Sequence, residues 1–390
     1  MSVTAPQGFR AAGAVAGLKS TGRPDVAVVV NDGPQFAAAG VFTANRVQAA
    51  PVRWSIPLLH RFPGGGGELT AVLLNSGGAN ACTGEPGYAD TVISAERLAD
   101  ALSIDPQRVA VCSTGLIGER LPMPALLAGV DAAVAGLTDA DAGGAGAAEA
   151  IMTTDTVPKT ALVHGDGYSI GGMAKGAGML APGLATMLVV LTTDAQATPE
   201  QLDSALRAAT RVTFDRLDSD GAMSTNDTVL LLASGASGAA PSTAALTAGA
   251  TRVCADLARQ LLADAEGATK EIAIEVVHAV SEDDAVQVGR SVARNNLVKT
   301  AFFGQDPNWG RILAAVGTTT AEFDPDLLDV AINGVWICRG GAAGEDRSGV
   351  ELSGRSVHVV IDLHAGTETA TVVTNDLSHA YVHENSAYSS

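Results

Sequence analysis

Aromatic side chains are scarce in this chain, 4% of 390 residues, and charged ones are few, 17%. A core poor in aromatics has to be filled by Val, Leu, Ile and Ala. The 47% hydrophobic content supplies them and argues against disorder. Cations are the next shortage: 24 Lys and Arg face 42 Asp and Glu, for a formal net charge of −18. With no basic excess to replace phosphate counterions, nucleic acid is not an expected partner. The cysteines are only Cys82, Cys112, Cys254 and Cys338, far apart and without a CxxC pair. No zinc or thioredoxin-type motif is therefore signalled, and small buried thiols in a reducing compartment are expected. No apolar run approaches membrane-spanning length, and "MSVTAPQGFRAAG" lacks the basic-then-apolar layout of a secretion signal. A cytoplasmic protein with no membrane partner is expected.

What the chain does contain is β-branched runs. "VAVVV" (26–30), "LTAVLLNS" (69–76), "RVAVCST" (108–114), "TMLVVLTT" (186–193) and "TVLLLAS" (228–234) read as buried strands, as do "EIAIEVVHAV" (271–280), "VHVVIDL" (357–363) and "TATVVT" (369–374). Stretches with helical spacing lie between them at 88–103, 122–137, 198–212 and 242–267. Thr198 before Pro199 and Glu200 has the pattern of a helix N-cap followed by proline in the first turn. This alternation predicts an α/β or α+β fold of mixed layers, helices stacked on sheets, in one large or two moderate domains. The Ala- and Gly-rich stretch 137–150 reads as a linker or a poor helix.

Several motifs fail on inspection. "GAGMLA" (176–181) matches a dinucleotide fingerprint in letters, but Pro182-Gly183 would break the helix that motif must open. "DSDGAMSTND" (218–227) resembles a calcium loop, yet Arg216 stands where the first carboxylate belongs and no closing Glu follows, so a solvated turn is expected. His379 and His383 share helical spacing without the Glu or third ligand of a zinc hydrolase. No G-x-S-x-G elbow occurs.

Two stretches remain. "CSTGLIGERLP" (112–122) ends a strand in Ser113-Thr114-Gly115. That is an ordinary turn, or a pocket where the Thr114 hydroxyl and the Gly115 amide face a developing oxyanion. "AKGAGMLAPGLATMLVVLTTD" (174–194) carries Thr186 behind a flexible Gly- and Pro-rich loop. Thr186 is a good strand residue, but it could also supply its own base. Cutting the Ala185–Thr186 bond frees an α-amine, with an ordinary pKa of about 7.7–8.0, beside the hydroxyl.

"KGAGMLAPGLATML" (175–188) closely resembles the self-cleavage segment of the ornithine acetyltransferases, also called glutamate N-acetyltransferases, of arginine biosynthesis. "STGLIGERLP" (113–122), "MTTDTVPK" (152–159), "STNDTV" (224–229), "NLVKTAFFGQDPNWGRILAAVG" (296–317) and "HENSAYSS" (383–390) resemble further blocks of that family in the expected order. The resemblance implies cleavage between Ala185 and Thr186 into an α chain, 1–185, and a β chain, 186–390, assembled as an α2β2 heterotetramer. It also implies the self-processing N-terminal-nucleophile-type fold shared with related aminopeptidases. The implied reaction is a ping-pong transfer of acetyl from N2-acetyl-ornithine to glutamate on Thr186, with Thr114 and Gly115 holding the oxyanion. The implied substrate pocket holds Thr153 or Thr154, Lys175, Thr186, Glu266, Asn385 and Ser390. No metal or cofactor is implied, and acetyl-CoA is a second candidate donor. Two rivals stand beside this reading: an aminopeptidase or amidohydrolase on the same scaffold, and a binding module for an acidic metabolite.

Overall fold

A computed structural model describes residues 2–180 and 187–387. Its strands form three sheets. The first has the order β1 (Phe9–Ala14), β2 (Val26–Asn31), β5 (Ala71–Gly78), β6 (Val109–Leu116). The second runs β4 (Gly67–Glu68), β3 (Ala37–Phe42), β10 (Thr228–Ala233), β9 (Leu188–Thr193), β8 (Ser169–Lys175), β7 (Lys159–His164). The third runs β14 (Ala342–Ala343), β13 (Val335–Arg339), β12 (Asp329–Ile332), β15 (Ser356–Asp362), β11 (Glu271–Ala279), β16 (Glu368–Asn375).

The first two sheets share one core, in which Val28, Leu73 and Val111 join Met173, Val190 and Leu230. Helices Gly84–Leu102 and Met123–Ala135 contribute Leu98 and Val130 to the same core from the far side of the first sheet. Helices Pro199–Arg211 and Thr243–Ala263 cover the second sheet, packing on Ile170, Val189 and Leu231. The result is four layers, helix on sheet on sheet on helix. Strands β2, β9 and β10 are buried at every position, as strands covered on both faces must be. The third sheet packs one face on helices Glu282–Ala293, Asn296–Phe303 and Trp309–Val316. Burial alternates along β11, with Ile272, Ile274 and Val276 pointing inward. A Leu217–Val373 bridge joins this sheet to the rest.

The expected mixed α/β layering is what the chain adopts. The N-terminal signal at Thr198 is realised as a capping box: Thr198 Oγ1 accepts from Gln201 N at 3.2 Å, and Gln201 Oε1 accepts from Thr198 N at 3.0 Å. Of the two readings of 137–150, linker or poor helix, the structure takes the helix, Asp141–Ala150. Its glycines lower helix propensity but permit contact of backbone on backbone. A Cβ on Gly143 would lie 2.4 Å from Ala11 O, and one on Gly13 of β1 would lie 2.1 Å from Gly146 O. Cys112, Cys254 and Cys338 are buried thiols as expected, whereas Cys82 is exposed.

Gly13→Ala should therefore destabilise the fold by about 1–3 kcal/mol in urea unfolding, because the added methyl overlaps Gly146 O. Gly136→Ala, whose Cβ would meet nothing nearer than 3.5 Å, is the control and should cost far less. Equal losses would show that the helix is not seated through this glycine contact.

Candidate active site

Strands β6 and β8 belong to different sheets but end at one cavity of ≈ 500 Å³. Thr114, Gly115, Thr153, Thr154, Lys175, Glu266 and Asn385 all line it, although they come from widely separated parts of the sequence. Ala185, Thr186 and Ser390 lie outside the described residues.

Lys175, the last residue of β8, is 1% exposed and donates to Thr114 Oγ1 at 3.3 Å. Burial pushes its pKa down; Asp155 opposes that, while Lys159 reinforces it. Asp155 is the hub of this buried charge cluster. It accepts from Lys159 Nζ at 2.6 Å, from Gly176 N at 2.7 Å and from Thr153 N at 3.0 Å. Burial alone would raise the Asp155 carboxyl, but Lys175 and Lys159 outweigh it and hold it below the ordinary carboxylate value. Lys159 Nζ also donates to Asp264 at 2.6 Å, so cations and anions alternate through the cluster.

The turn at the end of β6 is one that only glycine satisfies. Gly115 has φ +131°, and a Cβ there would sit 2.5 Å from the backbone of Gly77 and Gly78 in β5. Beside it, Thr114 accepts from Lys175, which leaves its own hydroxyl proton to be donated into the cavity. Glu266, past the end of helix Thr243–Ala263, is buried; Asn385 Nδ2 donates to its Oε2 at 2.9 Å. Gly178 makes room for this carboxylate, since a Cβ there would lie 2.5 Å from Oε2. The cavity thus carries a cation on one wall and a carboxylate on another.

Sequence reasoning missed three contributors. Lys19 and Arg23 add cations to the cavity wall. Lys19 donates to Pro24 O at 2.8 Å, and burial, opposed by Asp25 and reinforced by Lys175, takes its pKa down to about 8. The third is the 218–227 loop. Expected as a solvated turn, it is instead largely buried, with Asp218 and Asp227 both at 0% exposure. Asn226 Nδ2 donates to Ala79 O at 2.6 Å and Ser113 O at 2.8 Å, tying the loop to the first sheet. Ser219 N donates to Leu180 O at 2.5 Å, and Met187 N donates to Asp227 Oδ1 at 3.1 Å. One loop therefore holds both described flanks of residues 181–186. Its polar letters read as exposure, and only the abrupt start of the apolar run at Thr228 hinted at burial.

Among the described residues, His278, Asp362 and His364 bring possible metal-ligand atoms within 4.8 Å of one another. They do not line the cavity, and His278 Nδ1 is engaged with Asp362 at 2.9 Å. His379 and His383 lie on the helix His379–Ala387 and also stand apart from the cavity lining.

Asp155→Asn would leave two buried lysines without their shared anion, a loss of roughly 3–5 kcal/mol at neutral pH. The sign of its pH dependence follows from the lowered folded pKa. The stabilisation is full above the ordinary value of 3.8 and disappears as pH falls through the lower folded value. Urea unfolding of both proteins should show the gap closing in acid; a gap constant from neutral pH down to about 2 would contradict the assignment.

Comparison with known proteins places this geometry in context. The sequence matches the ArgJ family over residues 10–390. It is 65% identical over 389 residues to the arginine biosynthesis bifunctional protein ArgJ of Thermobifida fusca, with 100% of each chain covered. It is 63% identical to the protein of the same name from Streptomyces avermitilis, again over 100% of both. A crystal structure of ornithine acetyltransferase complexed with ornithine, from Mycobacterium tuberculosis, is 54% identical, covering 48% of this chain and 96% of that one at a TM-score of 0.45. The family match takes in every segment that builds the cavity, from β6 through β8 to the C-terminal helix: the chain belongs to the ArgJ family.

Proposed function

We propose that this chain is a self-processing acetyltransferase of arginine biosynthesis that moves acetyl from N2-acetyl-ornithine to glutamate through an acetyl ester of Thr186. The observation that carries the reading is the convergence, on one cavity, of Thr114 and Gly115 from the first sheet with Lys175 from the second. Lys175 pairs with Leu188, the first residue of β9, which follows Thr186 by two positions in the sequence.

Processing begins as Thr186 Oγ attacks the Ala185 carbonyl, the C–N bond breaks, and an ester takes the place of the amide. Water hydrolyses that ester, leaving the carboxylate of Ala185 on chain 1–185 and a free α-amine on chain 186–390. In turnover the amine takes the Oγ proton as Oγ attacks the acetyl carbonyl of N2-acetyl-ornithine. The Thr114 hydroxyl and the Gly115 amide receive the oxyanion. Collapse expels ornithine, whose α-amine takes the proton, and acetyl remains on Oγ. Glutamate attacks this ester through its α-amine and leaves as N-acetylglutamate, returning the proton to Oγ.

Both substrates carry an α-carboxylate, and ornithine adds a side-chain ammonium. Lys175, with Lys19 and Arg23 nearby, suits the former, while Glu266, held by Asn385, suits the latter. Thr153, Thr154 and Ser390 complete the substrate-binding set. The reaction calls for no metal or cofactor, because acetyl passes between two similar amides; acetyl-CoA remains a candidate second donor. The processed chains stay together as an α2β2 heterotetramer in the cytoplasm. Relatives above 60% identity that are named for arginine biosynthesis support transfer over hydrolysis.

Denaturing electrophoresis with N-terminal sequencing should give two chains, the second starting at Thr186; one intact chain would remove the processing step. Thr186→Ala should stay uncut and transfer no acetyl. In Thr114→Ala, kcat should fall by about 10²–10³, the usual cost of one oxyanion donor. Product analysis separates the rival: N-acetylglutamate in stoichiometry with ornithine supports transfer, and free acetate in its place would identify a hydrolase.

A further inference from the structure

We infer that Asp227 is a positioning residue for the processing junction, working as a neutral carboxylic acid that holds the Met187 amide and, through it, the peptide unit carrying Thr186. The inference deepens the self-cleavage reading above and rests on it.

Asp227 is the last residue of the buried loop, immediately before β10, and its side chain is fully buried. Strands β10 and β9 pair in parallel with Thr228 opposite Leu188. That register grips Met187 twice: Asp227 Oδ1 accepts its N–H at 3.1 Å, and its carbonyl accepts from Thr228 N at 3.1 Å. Met187 N is bonded directly to the Thr186 carbonyl carbon, about 1.33 Å away in any peptide. Holding that nitrogen therefore restrains the residue before it. The upstream flank is restrained by the same loop, since Asp220 accepts from Met179 N at 2.7 Å and Ser219 N donates to Leu180 O at 2.5 Å. An intramolecular attack of hydroxyl on the neighbouring carbonyl gains most when such freedom is already removed.

The surroundings also decide the protonation state. Oδ2 of Asp227 has no hydrogen-bond partner among the described residues. The cation whose charge reaches Asp227 is Lys175, which is instead bonded to Thr114 and faces Asp155. An ionised carboxylate so placed would be buried with weak compensation. Burial raises the Asp227 pKa well above its ordinary value, and Met187 N–H, Ser224 and Lys175 only partly oppose this.

The test follows cleavage of freshly translated full-length chain by electrophoresis and intact mass, for wild type and for Asp227→Asn, Asp227→Ala and Asp227→Leu. The Asn variant keeps a neutral acceptor for Met187 N–H and should be cut within about twofold of the wild-type rate, whereas Ala and Leu should slow cutting about tenfold or more, the equivalent of ~1.4 kcal/mol of barrier. In whatever Ala or Leu enzyme matures, kcat should fall while KM for acetyl-ornithine holds, because Asp227 does not line the cavity. If Asn is as slow as Ala or Leu, an ionised carboxylate is required and the inference is overturned. Wild-type rates in Ala or Leu would overturn it equally. Thermal melting confirms folding of each chain; Leu retains side-chain volume where Ala fails to fold, and the Asn rate alone decides the protonation state where neither folds. A wild-type chain that is never cut would instead remove the self-cleavage reading, and this role with it.

Discussion

A lysine 1% exposed at the wall of a cavity is tolerable only if an anion is buried with it, and Asp155 is that anion. The pairing does more than balance charge. Asp155 accepts from Thr153 N, from Lys159 at the start of β7 and from Gly176 just past the end of β8. One carboxylate thereby ties Thr153, the Lys159 side chain and the residue after Lys175 together, and Thr153 and Lys175 both line the cavity. Replacing such a cluster with apolar side chains could leave stability unchanged. It could not leave an ammonium within 3.3 Å of the Thr114 hydroxyl, so the cluster is best understood through the site it builds.

The site also requires the ends of β6 and β8, from the two stacked central sheets, to meet at the cavity without side chains in the way. Gly115 against Gly77, and Gly178 against Glu266, are the places where a methyl would overlap the backbone or the carboxylate at the cavity wall. Away from the site, glycine does a different job. Gly172 in β8 faces Leu191, and Gly13 meets Gly146, so that elements seat closer than side chains would permit. The abundance of glycine thus partly shapes the cavity wall and partly lets elements seat closely in a core that lacks aromatic bulk.

This explains which parts could be read from the letters. Runs such as 26–30 and 228–234 are strands because continuous β-branched or Leu-rich stretches suit layers covered on both faces. Thr114 and Gly115 were legible because they end such a strand, whereas the place of Lys175 in the pocket rested on the family resemblance. Strand β8 was not legible, and the helix Asp141–Ala150 was so only as an alternative to a linker, because their glycines look like breaks when local propensity is weighed without knowing what packs against them. The buried loop 218–227 was misread for the opposite reason: its Asp, Ser and Asn side chains bind backbone groups inside the protein, and polarity was taken as contact with water. Lys19 carried no signal at all, since its place at the cavity depends on a turn pinned by Asp25, which accepts from Ala16 N and Leu18 N.

In the proposed mechanism, self-cleavage and acetyl transfer pose the same problem to the same atoms. In both, a hydroxyl attacks an amide carbonyl, negative charge develops on that oxygen, and an amine departs. A cavity with a hydroxyl and a glycine amide preset for that oxygen favours either amide placed there. What distinguishes the two is the origin of the carbonyl: the preceding residue of the chain in the first event, a diffusing substrate in the second. A loop that grips Leu180 on one side and Met187 on the other favours the first event by restricting the chain. In that proposed scheme the grip on Met187 outlasts the cut because it belongs to the β9–β10 pairing, whereas 1–185 would no longer be covalently tied to it. The acyl position can then be vacated for substrate without disturbing the nucleophile's anchor. On this view the sheet register, more than the reactive residues themselves, lets one site perform a single irreversible reaction and then a repeated one.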